Sequence, residues 1–191
     1  MKILFLGPNK ESQKKIINYL KHDNNQIINI NTNINFENID DSFDFLLSYG
    51  YRYKIKKEIL EKIKIICLNL HISYLPWNKG ADPNFWSFAE NTPRGVSIHE
   101  INENIDDGPI IYRKKIAYKK SDTLFSSYND LLASIESLFF DKWKYLKKNN
   151  YKKKIIKEKG SFHSSRDIEN YINFLHNGWD TKVKNIIGIA K

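Results

Sequence analysis

The feature that most constrains the fold is an alternation of short apolar runs and amphipathic segments over the first 70 residues. Four apolar runs have the length and composition of buried strands, at 2–6, 26–30, 44–50 and 64–70. Helical periodicity marks two of the segments between them, at 11–21 and 54–62. This rhythm predicts βαβ units, and therefore an α/β, Rossmann-like, mostly parallel sheet flanked by helices with right-handed crossovers.

The pattern changes after Pro76. A short aromatic-rich helix is expected over 84–89, and two strand candidates at 95–101 and 109–116 favour antiparallel strands added to one edge of the sheet. Apolar residues with helical spacing then predict one long helix over 124–146, with Ser121 or Asp122 as its cap.

The remaining residues predict a small appendage. They contain a short strand candidate at 154–156, a Gly-Ser turn and a helix candidate at 166–175. A chain of 191 residues is long enough for one sizeable core. We therefore expect a main domain over 1–148 and a small C-terminal α/β extension over 149–191.

Composition limits the environment and the partners. The single cysteine, Cys67, rules out an internal disulfide framework and favours a reducing compartment. The apolar run at the N-terminus is too short for a signal peptide, and no run approaches the roughly 20 apolar residues of a membrane span. These observations predict a cytoplasmic protein without a membrane partner. The net charge of +9 is compatible with a polyanion, but the lysines of 142–159 alternate with apolar residues, which is typical of a solvated face and does not favour nucleic acid.

Three polar groups suited to acyl transfer stand at the ends of apolar runs. Asn69 and His71 end the fourth strand candidate, where open α/β sheets bind ligands, and Asp106 lies in a later turn. Acyl transfer to an amine needs a donor for the oxyanion, a base for the amine proton and a group that orients the base. A carboxamide, an imidazole and a carboxylate meet these needs. Taken singly, each residue also has a structural interpretation, as a strand-end cap, a partly buried histidine and a turn residue.

A longer composite pattern joins these residues. Asn69-x-His71-x-Ser-x-Leu-Pro is followed by a Gly-Val-Ser-Ile-His99 strand and an Asp106-x-Gly-Pro-Ile turn. This pattern resembles the folate-dependent formyltransferases, a family that includes methionyl-tRNA formyltransferase, glycinamide ribonucleotide transformylase and the sugar N-formyltransferases. The resemblance covers residues 1–118 well and implies that the catalytic domain is 1–148. It also implies Asn69, His71 and Asp106 as catalytic residues, 10-formyltetrahydrofolate as the formyl donor, and no metal.

The resemblance further implies where the two substrates bind. The folate is expected against the loop after the third strand and against the segment before Asp106; the residues are Ser48, Tyr49, Gly50, Tyr51, Asn104 and Ile105. The acceptor side is expected at Lys79, Asp82 and Asn84. His99 is interpreted either as a sheet-surface histidine or as a binding residue. The first turn, 7–10, is neither a Gly-x-Gly-x-x-Gly fingerprint nor a phosphate-binding P-loop, so no dinucleotide cofactor is expected.

The segment 77–87 looks most like the sugar N-formyltransferases. This implies a nucleotide-linked amino sugar as the acceptor, made for surface polysaccharide. Methionyl-tRNA and glycinamide ribonucleotide are alternative acceptors. The missing glycine-rich loop and the short tail after the long helix argue against them. A catalytically silent folate- or nucleotide-binding module is a further alternative. A homodimer through the long helix or the tail is also compatible with the sequence.

Overall fold

The computed structural model describes residues 1–190, and in that part of the chain a six-stranded mixed sheet forms the centre. The strands of the molecule are β1 (Lys2–Leu6), β2 (Gln26–Ile30), β3 (Phe45–Tyr49), β4 (Ile66–His71), β5 (Lys79–Gly80), β6 (Gly95–Glu100), β7 (Ile110–Lys115) and β8 (Phe162–His163). The sheet order is β2-β1-β3-β4-β6-β7, with the first four strands parallel and the last two antiparallel. This confirms the predicted Rossmann-like sheet with antiparallel strands on one edge.

The helices lie close to their predicted positions. They are α1 (Glu11–His22), α2 (Lys57–Leu60), α3 (Pro83–Ala89) and α4 (Leu124–Leu146), with 3-10 turns at Phe36–Asn38, Asp167–Phe174, Gly178–Asp180 and Val183–Asn185. The predicted cap of α4 was wrong. Thr123 caps this helix, because its hydroxyl accepts from the Ser126 N–H at 3.1 Å while the Ser126 hydroxyl accepts from the Thr123 N–H at 3.0 Å.

The central strands are buried on both faces, and their side chains alternate between two clusters. Ile3 and Phe5 face the cluster that α1 and α4 cover, whereas Leu4 and Leu6 face the cluster covered by the segment 34–43 and α2. This period of two is the geometry of a strand that is buried on both sides. Because both faces of the sheet are covered, polar side chains can collect at the carboxyl ends of the parallel strands. We call this end of the sheet the open edge.

The tail differs from its predicted form. The strand expected at 154–156 is a single bridge between Lys154 and Ile110, because only that residue pairs and Ile155 is 79% exposed. The helix expected at 166–175 is a 3-10 helix over Asp167–Phe174. β8 pairs with β5 of the preceding part, and Val183 packs in a cluster with α3. The division of the chain at 148 stays a prediction.

No helix within residues 1–190 combines the length and the apolar character that crossing a membrane requires.

We expect Phe139→Ala to lower the free energy of unfolding by about 3–5 kcal/mol, because the fully buried ring of α4 packs against Trp143 and its removal leaves a cavity. Urea unfolding followed by circular dichroism measures the change. Phe125→Ala is the matched control, since Phe125 lies on the same helix and is 56% exposed. Equal losses for the two variants would contradict the packing described for α4.

Candidate active site

The site is built on the last residues of β4. Strand alternation turns Leu68 and Leu70 into the cluster beneath α4, and so turns Asn69 and His71 to the opposite face at the open edge of the sheet. The neighbouring strand β6 runs antiparallel, and its register sets His99 directly opposite Asn69. The carboxamide and two imidazoles are thus brought together by the pairing of two strands.

Asp106 comes to the same place from the connection between β6 and β7. Its carboxylate oxygen Oδ1 accepts from Asn69 Nδ2 at 2.9 Å, and Oδ2 accepts from the backbone N–H of Gly80 at 2.9 Å. The Nε2 atom of His71 lies 3.6 Å from Oδ2, and that of His99 lies 3.4 Å from Oδ1. The three residues predicted to be catalytic therefore form one contiguous cluster.

The Asp106 side chain is only 10% exposed, so its negative charge is largely removed from water and needs compensation by the protein. Burial alone would raise the pKa of this carboxyl. The facing imidazoles of His71 and His99 and the N–H of Gly80 outweigh burial, so the pKa of Asp106 lies well below its ordinary value. Asp106 is therefore ionised at neutral pH.

His71 is shifted in the direction that favours its neutral form. Burial lowers the pKa of the imidazole and His99 lowers it further, although the charge of Asp106 and the carbonyl of Asn78 act in the opposite sense. Nε2 lies 3.3 Å from the carbonyl oxygen of Asn78. Because that oxygen can only accept, the Nε2 atom carries the proton and the Nδ1 lone pair is left to act as a base.

His99 is the neighbour of the cluster whose role the sequence left open. It is 2% exposed, and its Nδ1 lies 2.8 Å from the carbonyl oxygen of Glu100. Because this carbonyl only accepts, Nδ1 carries a proton, and Nε2 lies 3.2 Å from Asn69 Nδ2 and 3.4 Å from Asp106 Oδ1. His99 is therefore buried within the cluster, where it orients the carboxamide. The apolar strand that carries it was visible in the sequence, but its register against β4 was not.

The residues predicted on the acceptor side have different environments. Lys79 forms an ion pair with Asp107 at the rim of the cluster. Asp82 precedes α3 with a left-handed backbone, and burial raises the pKa of its carboxyl while the charge of Arg52 lowers it.

Asn84 has its hydrogen bonds directed elsewhere. Its Nδ2 donates to the carbonyl oxygen of Leu124 at 2.9 Å, and its Oδ1 accepts from the Ser127 hydroxyl at 2.7 Å, so the side chain joins α3 to α4. Substrate binding by Lys79, Asp82 and Asn84 stays a prediction.

The residues predicted to bind folate border the cluster. Ser48 pairs in register with Asn69, so the loop that follows β3 begins beside the carboxamide. The side chain of Tyr49 is buried under α1, and the hydroxyl of Tyr51 donates to the Thr32 carbonyl oxygen at 2.9 Å. These contacts leave mainly the backbone groups of residues 48–51, Gly50 included, for a ligand.

On the other side of Asp106, Asn104 is exposed and its N–H bonds the side chain of Asn102 at 3.0 Å. Ile105 presents an exposed apolar side chain directly before the buried carboxylate. Folate binding by the loop after β3 and by this segment stays a prediction. Over residues 1–190, no three His, Cys, Asp or Glu side chains are grouped in a way that could hold a metal ion.

Among the known proteins to which this chain is similar are formyltransferases. The solved structure of the formyltransferase PseJ from Anoxybacillus kamchatkensis, in complex with UDP-4,6-dideoxy-4-formamido-L-AltNAc and tetrahydrofolate, is 40% identical, covers 100% of both chains and superposes with a TM-score of 0.95. The dTDP-4-amino-4,6-dideoxyglucose formyltransferase of Mycobacterium tuberculosis (strain ATCC 25618 / H37Rv) is 26% identical over 131 residues, which are 69% of this chain and 55% of that protein.

A methionyl-tRNA formyltransferase of Prochlorococcus marinus (strain MIT 9312) is 34% identical over 123 residues, which are 63% of this chain and 38% of that protein. The chain thus spans about half or less of the length of these curated relatives. The model of the formyl transferase family matches residues 5–141. With that match over most of the chain and a 40% identical relative along all of it, the protein belongs to the formyl transferase family.

Proposed function

We propose that this protein transfers the formyl group of 10-formyltetrahydrofolate to the amine of a nucleotide-linked amino sugar. The observation that carries the proposal is the likeness to PseJ, which extends over the whole of both chains and whose complex holds a UDP-linked formamido sugar together with tetrahydrofolate. The cluster of Asn69, His71 and Asp106 supplies the groups that such a transfer needs.

The proposed chemistry begins when the amine nitrogen attacks the formyl carbon, which places negative charge on the former carbonyl oxygen. The Nδ2 group of Asn69 stabilises this oxyanion. One of its hydrogens is bound by Asp106 at 2.9 Å, whereas the other makes a longer contact of 3.2 Å with His99. The hydrogen directed at His99 is therefore the one that a developing oxyanion can take over at the smaller cost.

The proton is handled by His71. Neutral His71 accepts a proton from the amine as the new C–N bond forms, and the ionised carboxylate of Asp106 stabilises the resulting imidazolium. The proton then passes to N10 of the folate as the bond between N10 and the formyl carbon breaks. The products are the formamido sugar and tetrahydrofolate, and the imidazole returns to its neutral form.

The proposed acceptor also implies where the protein acts and what its product is used for. A cytoplasmic location and a role in supplying modified sugars for surface polysaccharide follow from the kind of acceptor that is proposed. The net charge of +9 and the likeness to a methionyl-tRNA formyltransferase make aminoacyl-tRNA the second acceptor to test.

We expect a mass increase of one formyl group on UDP-4-amino-4,6-dideoxy-L-AltNAc, the amine precursor of the ligand in the PseJ complex, when it is incubated with protein and 10-formyltetrahydrofolate. Mass spectrometry of the nucleotide sugar measures the transfer, with dTDP-linked 3-amino and 4-amino sugars and methionyl-tRNA run in parallel. Transfer to methionyl-tRNA alone would reject the sugar acceptor. Folate binding without transfer to any acceptor would favour a silent binding module.

His71→Gln should lower kcat by about 10²–10⁴-fold, because the substitution removes the base but retains a side chain of similar size. Asp106→Asn should also lower kcat strongly, since it removes the charge that stabilises the imidazolium. Steady-state kinetics and folate binding by fluorescence measure the two effects separately. His176→Gln is the matched control, because this histidine is exposed on the tail. Near-parental turnover in either site variant would reject the proposed mechanism.

The pH profile should have an acid limb with a midpoint below 6.5. Burial lowers the pKa of His71, and only the neutral imidazole can accept the amine proton, so kcat/KM falls as the pH drops through this lowered pKa. Above that midpoint, protonation of His71 no longer limits the rate. Initial rates between pH 4.5 and 8.5 (about the range that covers both forms of an imidazole) measure the limb. A midpoint above 6.5 would show that the Asp106 charge, rather than burial, governs His71.

A further inference from the structure

The catalytic cluster is supported from behind by a short loop, residues 76–81. Within this loop the carbonyl oxygen of Asn78 accepts from His71 Nε2 at 3.3 Å, and the N–H of Gly80 donates to Asp106 Oδ2 at 2.9 Å. The loop therefore contacts both the proposed base and the carboxylate that charges it. Any displacement of the loop moves a hydrogen-bond partner of each.

This loop is itself held by the tail, through residues that follow it by more than 80 positions. In the pairing of β5 with β8, the N–H of Lys79 donates to the Ser161 carbonyl oxygen and the N–H of Ala81 to the His163 carbonyl oxygen, both at 2.9 Å. Because alternate N–H groups of a strand point to opposite sides, the Gly80 N–H between them is turned away from the tail and toward Asp106. The tail pairing thus aims the donor that the carboxylate uses.

Only glycine fits at position 80 in this arrangement. Its φ is +84°, and a Cβ atom at this position would lie 2.3 Å from the carbonyl oxygen of His163. Gly160 makes a similar close approach, since its added Cβ would lie 2.0 Å from the carbonyl oxygen of Pro76. The backbone of the tail therefore lies directly against the loop, with no room for a side chain between them.

The hydroxyl of Ser161 makes the most specific contacts. It accepts from the Asn78 N–H at 3.0 Å and donates to Asn78 Oδ1 at 3.1 Å. The Nδ2 group of Asn78 donates to the Thr92 hydroxyl at 2.9 Å, and the side chain is fully buried. Asn78 also has a left-handed backbone, with φ of 54°. Ser161 and Thr92 together fix this strained residue, and with it the carbonyl oxygen that faces His71.

The tail segment is anchored in turn on α3. The imidazole of His163 stacks on the indole of Trp86 with ring centroids 3.8 Å apart and an interplanar angle of 5°, and its Nε2 lies 3.1 Å from Glu90 Oε1. Residues 160–163 are consequently held by α3 on one side and hold the loop on the other.

We propose that Ser161 is a positioning residue for formyl transfer, acting through Asn78 on His71, within a tail segment that positions Asp106 through Gly80. The inference rests on the proposed function and deepens it, because it makes the tail part of the machinery of the same site. The side-chain hydrogen bonds of Ser161 go to Asn78 and to none of the three proposed catalytic side chains, so its effect must pass through the loop.

In the full-length protein, Ser161→Ala should lower kcat by about 10- to 100-fold while leaving KM for folate and sugar unchanged, because a displacement of the base by about 1 Å costs that much. The measurements are steady-state kinetics with 10-formyltetrahydrofolate and UDP-4-amino-4,6-dideoxy-L-AltNAc. Ser161→Thr retains the hydroxyl and should restore the rate. Ser164→Ala is the matched control, since Ser164 is exposed and its hydroxyl donates to Asp167, three residues further along the same segment.

A second measurement separates positioning from a general loss of structure. The Asn78 carbonyl raises the pKa of His71, as does Asp106, whereas burial and His99 lower it. Loss of the Ser161 contacts should therefore move the midpoint of His71, followed by NMR of its ring proton, to lower pH than in the parent. The acid limb of kcat/KM should move in the same direction, and both should stay at the parental value in Ser161→Thr and Ser164→Ala.

Two results for Ser161→Ala would overturn the positioning role. The first is a parental kcat with an unchanged pKa of His71. The second is a lower kcat with an unchanged pKa of His71, which would indicate that less of the protein is folded. If the parent protein formylates no acceptor, the proposed function fails. The His71 midpoint then still decides the positioning role by itself, because it requires no acceptor.

Discussion

The structure of the site depends on one buried negative charge. An ionised carboxylate taken out of water costs several kcal/mol unless it is paired and hydrogen-bonded. Asp106 is compensated by Asn69, Gly80 and two imidazoles, which come from β4, β5 and β6. Each of these strands lies within reach of the carboxylate. Together their polar groups replace the water that would otherwise solvate it, and they form a shell around this group at the open edge.

The mixed topology of the sheet is what makes that shell possible. The parallel strands leave Asn69 and His71 at their carboxyl ends, which is where open α/β sheets bind ligands. A further parallel strand would add only another strand end there. The antiparallel strand β6 instead runs alongside β4 and sets His99 opposite Asn69, and the connection that follows β6 returns Asp106 to the same edge.

The local features of this design could be predicted from the sequence, whereas its long-range contacts could not. Periodicity was sufficient for the strands of the six-stranded sheet, for α4 and for the orientation of Asn69 and His71, because alternation is a property of neighbouring residues. The two-residue strands β5 and β8 were not predicted. The resemblance to formyltransferases singled out Asp106. The burial of His99 depends on the register of β6 against β4, and the contact of Ser161 with Asn78 joins residues 83 positions apart. No local pattern encodes either of them. The strand predicted at 154–156 was wrong for a related reason, because a strand needs a partner along its length and only Lys154 has one there.

Backbone strain around the site indicates why long-range support is needed. Among residues 1–190, six non-glycine residues have positive φ. Of these, Asp106 belongs to the cluster, Asn78 contacts His71, and Asp82 directly follows the loop 76–81. Asn and Asp tolerate this conformation better than other residues, yet each such residue still costs free energy that the surroundings must supply. Left alone, such a loop would relax and release the carbonyl and the N–H that face His71 and Asp106. The hydrogen bonds of residues 160–163 to the loop, and the stacking of His163 on Trp86, oppose that relaxation. The geometry of the proposed catalytic site therefore depends on a segment that lies outside the six-stranded sheet, and changes in this segment can alter the site while the sheet is left intact.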